Sequence, residues 1–147
     1  MRKTAIVYVS RHHGNTFKLV NAIAERYDIT LINAAEENKA NLEAFDLIGF
    51  ASGIDFGKFY EPVEQFLRRN LPLSKQVFFL YTCARTNPGF TKSVRLAAEQ
   101  KNATVLGEYG CKGYNTYGPW KLIGGMNKQH PDQDELTQAV CFFESLL

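Results

Sequence analysis

The chain has 147 residues, of which 45% are hydrophobic and 22% charged, and this length and balance predict one folded domain over residues 1–147. Its 17 Lys and Arg residues against 15 Asp and Glu give a formal charge of +2, and the basic residues are dispersed, which argues against nucleic-acid binding. The sequence has no run of 18 apolar residues and no secretory signal at its start, so we expect a cytoplasmic protein without a membrane span.

Apolar blocks alternate with amphipathic ones along the chain. Residues 4–9 form an unbroken apolar run, which is typical of a strand covered on both faces. After a polar turn, residues 15–26 place Val20 and Ile23 on one helical face. Residues 110–132 are rich in Gly, Pro and aromatic residues and indicate a cover or a docking segment. Further strands are predicted at 28–33, 46–51, 76–81 and 103–109, and further helices at 59–70, 90–101 and 134–147.

This order of elements predicts an α/β fold. Strands separated by helices pair in parallel through right-handed crossovers, with helices on both faces of the sheet. For five strands, 2-1-3-4-5 is one of two common orders, and we adopt it. Ligands of such sheets bind at the carboxyl ends of the strands, so the loops after strands one, three, four and five are the candidate site.

Three cysteines, Cys83, Cys111 and Cys141, form no CxxC pair, so no disulfide framework is expected. Cys141 lies in the last predicted helix and is expected to be buried there. The adjacent His12 and His13 lack further ligands at metal-binding spacing, so no metal site is expected. The apolar positions expected to be buried in the last helix are Leu136, Val140, Phe143 and Leu147.

The first loop, residues 10–16, reads Ser-Arg-His-His-Gly-Asn-Thr and joins the first strand to the first helix. A helix N-terminus offers unpaired backbone N–H groups and the positive end of the helix dipole, and Gly14 lets a ligand approach the backbone closely. The loop therefore predicts an anion site of phosphate size, although the same residues also suit a capped helix with nothing bound. The side chains able to donate hydrogen bonds or supply charge are Ser10, Arg11, Asn15 and Thr16.

The Gly14-Asn15-Thr16 ending of this loop, together with residues 52–60 (Ser-Gly-Ile-Asp-Phe-Gly-Lys-Phe-Tyr), resembles the flavodoxin family. The order of elements is similar from residue 3 to about residue 147. The resemblance implies a flavodoxin-like three-layer sandwich that binds FMN noncovalently and carries electrons. It places the phosphate on residues 10–16 and the isoalloxazine between the third- and fourth-strand loops. The residues expected to contact FMN are Ser10, Arg11, His13, Gly14, Asn15, Thr16, Ser52, Gly53, Ile54, Phe56, Gly57, Phe59, Thr82, Cys83 and Ala84.

An isoalloxazine needs flat apolar contacts on its faces. Gly53 or Gly57 would let a backbone peptide reorient beside the flavin N5, or would serve only the turn. Several of the aromatic candidates could equally be part of the core. The candidates for one face are Phe56, Phe59 and Tyr60, and those for the other are Tyr114, Tyr117 and Trp120.

The predicted function is an FMN-binding, flavodoxin-like electron-transfer protein. No general acid or base is nominated, because in a carrier the cofactor performs the redox chemistry. The alternative is a small NAD(P)H-dependent FMN or quinone oxidoreductase of the same fold, for which we find no second nucleotide-binding motif. A phosphoacceptor domain of similar topology is a poor fit, because strands one and three end in Val9-Ser10 and Ala51-Ser52 rather than in carboxylates.

The charge of +2 departs from the usually acidic flavodoxins that the sequence resembles. Arg11, Lys58 and Arg85 fall on the loops expected to face the flavin. We therefore expect redox partner proteins with an acidic or neutral docking surface, and an association that salt weakens. We also expect a two-electron potential less negative than that of an acidic relative.

Overall fold

The computed structural model describes residues 2–114 and 127–147. The described helices carry no segment long and apolar enough to cross a membrane. The strands are β1 (Thr4–Val9), β2 (Ile29–Asn33), β3 (Leu47–Asp55), β4 (Lys58–Phe59), β5 (Gln76–Cys83) and β6 (Thr104–Lys112). The α-helices are α1 (Asn15–Ala24), α2 (Glu61–Asn70), α3 (Lys92–Glu99) and α4 (Gln133–Ser145).

Five of these strands form a parallel sheet in the order β2-β1-β3-β5-β6. The predicted order 2-1-3-4-5 is confirmed, since β5 and β6 are the fourth and fifth predicted strands. After β1 the chain adds β2 on one side and then β3 on the other. This reversal opens a crevice outside the carboxyl ends of β1 and β3, where doubly wound sheets bind their ligands.

Helices cover both faces of the sheet, so the predicted three layers are present. On one face Ile23 of α1 and Phe143 of α4 pack in a cluster with Phe78 of β5. On the other face Phe66 of α2 packs in a cluster with Phe79 of β5. Successive side chains of a strand point to opposite faces, so the pair Phe78-Phe79 contributes one ring to each core.

The third strand is longer than predicted. The strand predicted at 46–51 is confirmed, but its predicted end is wrong, because β3 continues to Asp55. Ser52 still pairs with Val9 of β1, and Gly53 with Thr82 of β5. Partners on both sides thus keep the backbone extended beyond the apolar run that the sequence shows.

At its end β3 turns back on itself as a hairpin. Asp55 pairs with Lys58, so Phe56 and Gly57 form a two-residue turn with φ of 53° and 77°. Two positive φ values define the type I′ turn, whose twist matches that of the flanking strands. The return strand β4 includes Phe59, so α2 begins two residues later than predicted, at Glu61.

Two predicted burials at the C-terminal end are wrong. Cys141 is exposed and Leu147 is 46% exposed. Helix α4 faces the sheet with Ala139, Val140 and Phe143, so residue 141 lies on its solvent side. The third predicted helix is also shorter than 90–101, because a 3-10 turn over Pro88–Thr91 precedes α3.

Candidate functional site

A cavity of about 510 Å³ opens at the carboxyl ends of β1, β3 and β5. Its volume falls within the 300–1,000 Å³ typical of small-molecule sites. The first loop, the β3–β4 hairpin, the end of β5 and the chain after β6 all contribute walls. The lining residues are Arg11, Asn15, Thr16, Gly53, Ile54, Asp55, Phe56, Tyr60, Thr82, Cys83, Ala84, Gly113 and Tyr114.

Most of the residues predicted to contact a cofactor line this cavity, but not all. Phe59 is 1% exposed and packs edge-on against Phe79 in the core, which corrects its assignment to the site. Ser52 is fully buried and also lies behind the wall. Asp55, an acid that the sequence places next to the expected flavin site, also lines the cavity, whereas sequence reasoning missed Gly113. The other predicted residues that lie outside the lining set are Ser10, His13, Gly14 and Gly57.

The first loop shapes the N-terminus of α1. His13 and Gly14 both adopt left-handed backbone conformations, with φ of 63° and 68°. The Ser10 Oγ accepts a hydrogen bond from the Phe17 N–H at 3.0 Å and so caps the helix from outside it. The first turn of α1 carries no acidic residue, so its positive dipole end faces the cavity without a competing carboxylate.

Asn15 lines the cavity and carries an unsatisfied buried polar atom. Its Nδ2 donates to the Tyr114 carbonyl oxygen at 2.8 Å, while its Oδ1 is buried without a hydrogen-bond partner among the described residues. The residue is only 8% exposed. A buried unpaired acceptor costs about 1–3 kcal/mol, so Oδ1 indicates a ligand that donates a hydrogen bond here.

Gly113 permits this close approach of the chain after β6. A Cβ at position 113 would lie 2.6 Å from the Nδ2 of Asn15, which is too close for any side chain. The Gly113 N–H donates to the Cys83 carbonyl oxygen at 2.9 Å, so the ends of β5 and β6 meet at this wall. No sequence pattern marks this glycine, because its role depends on a contact with the first loop.

Two buried threonines join α1 to β5 at the floor of the cavity. The Oγ1 atoms of Thr16 and Thr82 lie 2.9 Å apart, and both residues line the cavity. A pair of hydroxyl groups uses only one hydrogen for the bond between them. The second hydroxyl hydrogen is therefore left to donate elsewhere, including to a ligand in the cavity.

Ser52, Gly53 and Tyr60 form a clamp where β3 enters the hairpin. The Tyr60 N–H donates to Ser52 Oγ at 2.8 Å, and Ser52 Oγ donates to the Gly53 carbonyl oxygen at 2.6 Å. A Cβ on Gly53 would lie 2.2 Å from the Tyr60 hydroxyl oxygen. The Gly53 carbonyl oxygen accepts a hydrogen bond, and the glycine has no room for a side chain.

Arg11 stacks on this clamp. Its guanidinium carbon lies 4.5 Å from the centroid of the Tyr60 ring, within the range of a cation–π contact. Burial raises the pKa of the Tyr60 phenol, and the nearby Arg11 charge partly opposes that shift. The face of Tyr60 that Arg11 covers cannot also stack on a planar ligand.

Phe56, in contrast to the buried Tyr60, is exposed at the mouth of the cavity. Its ring is 95% exposed although the residue lines the cavity, and its backbone is left-handed. An L-residue in that conformation costs roughly 1–2 kcal/mol. Strained residues of this kind are concentrated at ligand sites, so the position indicates contact with a ligand or partner.

Cys83 lies in the wall as a neutral thiol. Burial raises the pKa of its thiol to about 12. Its Sγ donates a weak hydrogen bond to the Cys111 carbonyl oxygen at 3.6 Å. Burial also raises the pKa of the Cys111 thiol. A thiol of this kind acts as a small apolar group and not as a nucleophile.

The chain after β6 reaches back over the first loop. The rings of Tyr114 and His13 stack with centroids 3.9 Å apart. Further along the chain, Asn127 Nδ2 donates to the Ala84 carbonyl oxygen at 2.9 Å. The aromatic candidates Tyr117 and Trp120 lie outside the described residues.

His130, Asp132 and Glu135 bring ligand-type atoms within 4.8 Å of one another at the start of α4. Asp132 and Glu135 form a capping box, in which each side chain accepts the other's backbone N–H. Glu135 also accepts the Lys112 N–H and contacts His130 Nδ1. Capping of α4 accounts for this cluster without a metal.

Comparison with known proteins defines the class. The family model described as Flavodoxin domain matches residues 5–120, and the chain belongs to this family of flavodoxin-like flavoproteins. An uncharacterized protein of Methanocaldococcus jannaschii is 38% identical over 147 residues, covering 99% of this chain and 98% of that one.

Solved structures share the fold at low identity. A flavodoxin, WrbA-like protein from Agrobacterium tumefaciens is 18% identical with a TM-score of 0.68, covering 97% of this chain and 92% of that one. Oxidised flavodoxin 1 from Bacillus cereus is 15% identical with a TM-score of 0.66, covering 99% of each chain. A flavoprotein from Lactobacillus acidophilus in complex with FMN is 17% identical with a TM-score of 0.59, covering 75% of this chain and 93% of that one.

Proposed function

We propose that this protein binds FMN noncovalently and carries electrons between redox proteins. The unpaired Oδ1 of Asn15, buried in a cavity at the switch point of the sheet, is the observation that carries the proposal. This oxygen can accept a hydrogen bond from a hydroxyl group, and the ribityl chain of FMN carries hydroxyl groups next to its phosphate. Family membership and the FMN complex of the Lactobacillus acidophilus flavoprotein support the same ligand.

The described residues fit FMN from one end to the other. The N-terminus of α1 and the first loop would hold the phosphate. Asn15 and the Thr16–Thr82 hydroxyl pair would meet the ribityl chain. The backbone at Cys83 and Ala84 would face the pyrimidine edge, and Phe56 would cover the ring. FMN, when bound, supplies the capacity to accept and release electrons, while the protein sets its binding and potential.

Binding is tested by titrating the flavin-free protein with FMN and following the quenching of flavin fluorescence. The matched variants are Asn15→Ala and Asn21→Ala, because Asn21 lies on the same helix and contacts only Glu25 through its side chain. We expect Asn15→Ala to weaken FMN binding on the order of tenfold, the equivalent of one hydrogen bond, and Asn21→Ala to leave it unchanged. Failure of the unmodified protein to bind FMN would overturn the proposal.

The alternative oxidoreductase function calls for a different measurement. The holoprotein is mixed with NADH or NADPH and a quinone, and oxidation of the nicotinamide is followed over many turnovers. A carrier shows no sustained oxidation, because it exchanges electrons with a partner protein and does not take hydride from a nicotinamide. Sustained turnover at both low and high protein concentration would instead assign the reductase function.

A further inference from the structure

The side chain of Arg11 leaves the first loop and lies at the hairpin end of the cavity. Its guanidinium is stacked on Tyr60, and Tyr60 follows directly on the hairpin formed by β3 and β4. β1 and β3 are neighbours in the sheet, with Val9 paired to Ser52, so a side chain two residues after Val9 can cross to the hairpin. The charge of Arg11 is therefore placed on Tyr60, at the hairpin side of the cavity.

Tyr60 holds that position firmly. The residue is 5% exposed, its N–H is bonded to Ser52 Oγ, and its hydroxyl group lies against the α-carbon of Gly53. Because these contacts fix the Tyr60 ring, the guanidinium of Arg11 has a preferred location, whereas an arginine without a stacking partner samples many side-chain conformations. An oriented charge beside a partly desolvated ligand acts more strongly than the same charge in water.

We propose that Arg11 acts on the isoalloxazine end of the bound flavin and favours its reduced, negatively charged form over the oxidised form. The proposal rests on FMN as the ligand of this cavity. Charge near the ring nitrogens is one of the means by which a protein tunes a flavin. Arg11 is thus a residue that sets the potential, and phosphate binding is left to the loop backbone and the helix N-terminus.

The charge balance of reduction gives the direction of the effect. Two electrons and one proton taken from a reductant leave the flavin ring with one more negative charge than before. A fixed guanidinium stabilises that charge and leaves the neutral oxidised ring little changed. Asp55, the carboxylate that lines the cavity on the hairpin, acts in the opposite sense. Without Arg11, its positive charge no longer opposes the effect of Asp55, so reduced flavin should bind more weakly.

Phosphate binding by Arg11 would give a different pattern. A contact with the phosphate strengthens oxidised and reduced FMN equally and does nothing for riboflavin, which lacks the phosphate. A contact with the ring distinguishes the two oxidation states and does so for both flavins. Measuring oxidised and reduced forms of FMN and riboflavin therefore separates the two roles.

The experiment uses Arg11→Gln, Arg11→Lys and the matched control Arg69→Gln, an exposed arginine in the last turn of α2 that is not among the residues lining the cavity. Dissociation constants of oxidised flavins are obtained by titration, and the two-electron midpoint potential is obtained by dithionite reduction against a reference dye. The ratio of oxidised to reduced dissociation constants follows from the potential, and a tenfold change in that ratio is about 30 mV.

We expect Arg11→Gln to lower this ratio on the order of tenfold for both FMN and riboflavin, and Arg11→Lys to lower it less, since it keeps the charge but not the planar stack. Arg69→Gln should leave the ratio within twofold of the unmodified protein. An equal loss for oxidised and reduced FMN, with riboflavin unaffected, would overturn the proposal in favour of phosphate binding. An unmodified protein that binds neither flavin would refute the proposed function instead.

Discussion

At the scale of the residue, Phe56 combines two features that are energetically unfavourable in the free protein. It places an aromatic ring in solvent and adopts a left-handed conformation that Asn or Gly tolerates better. Neither feature contributes to folding, because the ring is 95% exposed. The residue therefore fits the proposed contact with FMN at the mouth of the cavity better than a role in the stability of the hairpin.

Replacing Phe56 by Asn should stabilise the protein and weaken its ligand binding at once. Asn-Gly suits a type I′ turn, so the free energy of unfolding of the flavin-free protein should rise by about 1 kcal/mol. Loss of the aromatic contact should weaken FMN binding up to about tenfold. Urea denaturation and FMN titration measure the two effects. Leu73→Asn, at an exposed apolar position outside the site, is the control for binding. A less stable Phe56→Asn protein would contradict this account.

Cysteine labelling tests the neutral thiol of Cys83. With its pKa raised to about 12 by burial, only about one molecule in ten thousand carries the thiolate at pH 8. Iodoacetamide at that pH should modify the exposed Cys141 and spare both Cys83 and Cys111 until urea unfolds the chain. Mass spectrometry of the peptides identifies the modified sites. Rapid modification of Cys83 in the folded protein would contradict a buried, neutral thiol in the wall of the cavity.

At the scale of the element, the sheet accommodates its large rings by placing glycine opposite them. Gly49 of β3 pairs with Phe78 of β5, and a Cβ at position 49 would lie 2.3 Å from that ring. Gly110 of β6 pairs in the same way with Tyr81 of β5. The glycines of β3 and β6 and the aromatic residues of β5 therefore form matched pairs across neighbouring strands on each side of β5.

Gly49→Ala should destabilise the protein by about 1–3 kcal/mol, because the core at that pair has no room for a methyl group. Phe78→Leu removes the part of the ring that collides, although it costs packing of its own. The double variant should be less destabilised than the sum of the single variants, with the coupling measured by urea denaturation in a double-mutant cycle. Strictly additive effects would show that the two positions do not share the space.

The elements also show how far the sequence could predict this site. Apolar runs located β1 and β5 because both strands are covered by helices on each face. The hairpin escaped prediction, since residues 52–55 are held extended by their neighbours in the sheet and not by their own composition. Phe59 and Tyr60 are adjacent aromatic residues in the sequence, and only the return of β4 assigns one to the core and the other to the cavity wall.

At the scale of the whole molecule, five exposed basic residues lie on or directly next to the segments that form the walls of the cavity. Lys112 precedes a lining residue, Lys128 follows the residue that bonds to Ala84, and all of the basic side chains concerned are exposed. Negative charge on the same rim comes from Asp55 and from Glu61, which lies 3.7 Å from Lys58. The basic residues of this rim are Arg11, Lys58, Arg85, Lys112 and Lys128.

This rim supports the proposal of an acidic or neutral partner surface, and small oxidants of opposite charge can probe it. Reoxidation of the reduced holoprotein by the anion hexacyanoferrate(III) should slow as salt is added, whereas reoxidation by the cation hexaammineruthenium(III) should quicken. Lys58→Glu with Arg85→Glu should remove most of both salt effects. Arg26→Glu with Arg69→Glu changes the same charge near the C-terminal ends of α1 and α2 and should leave the salt effects in place. Salt dependence of one sign for both oxidants would contradict a positive rim.

The sequence by itself determined the layers of this protein, the approximate positions of its parallel strands along the chain and the location of its first loop. Those features follow from local patterns, because buried strands are apolar throughout and helices repeat their apolar face every three to four residues. The tertiary structure alone decided which side chains reach the cavity. Three features of the site depend on contacts between segments that are distant in the chain. They are the unpaired oxygen of Asn15, the close approach of Gly113 to Asn15 and the stack of Arg11 on Tyr60. Contacts of that kind leave no period or motif in the sequence, since each partner is defined by the position of the other.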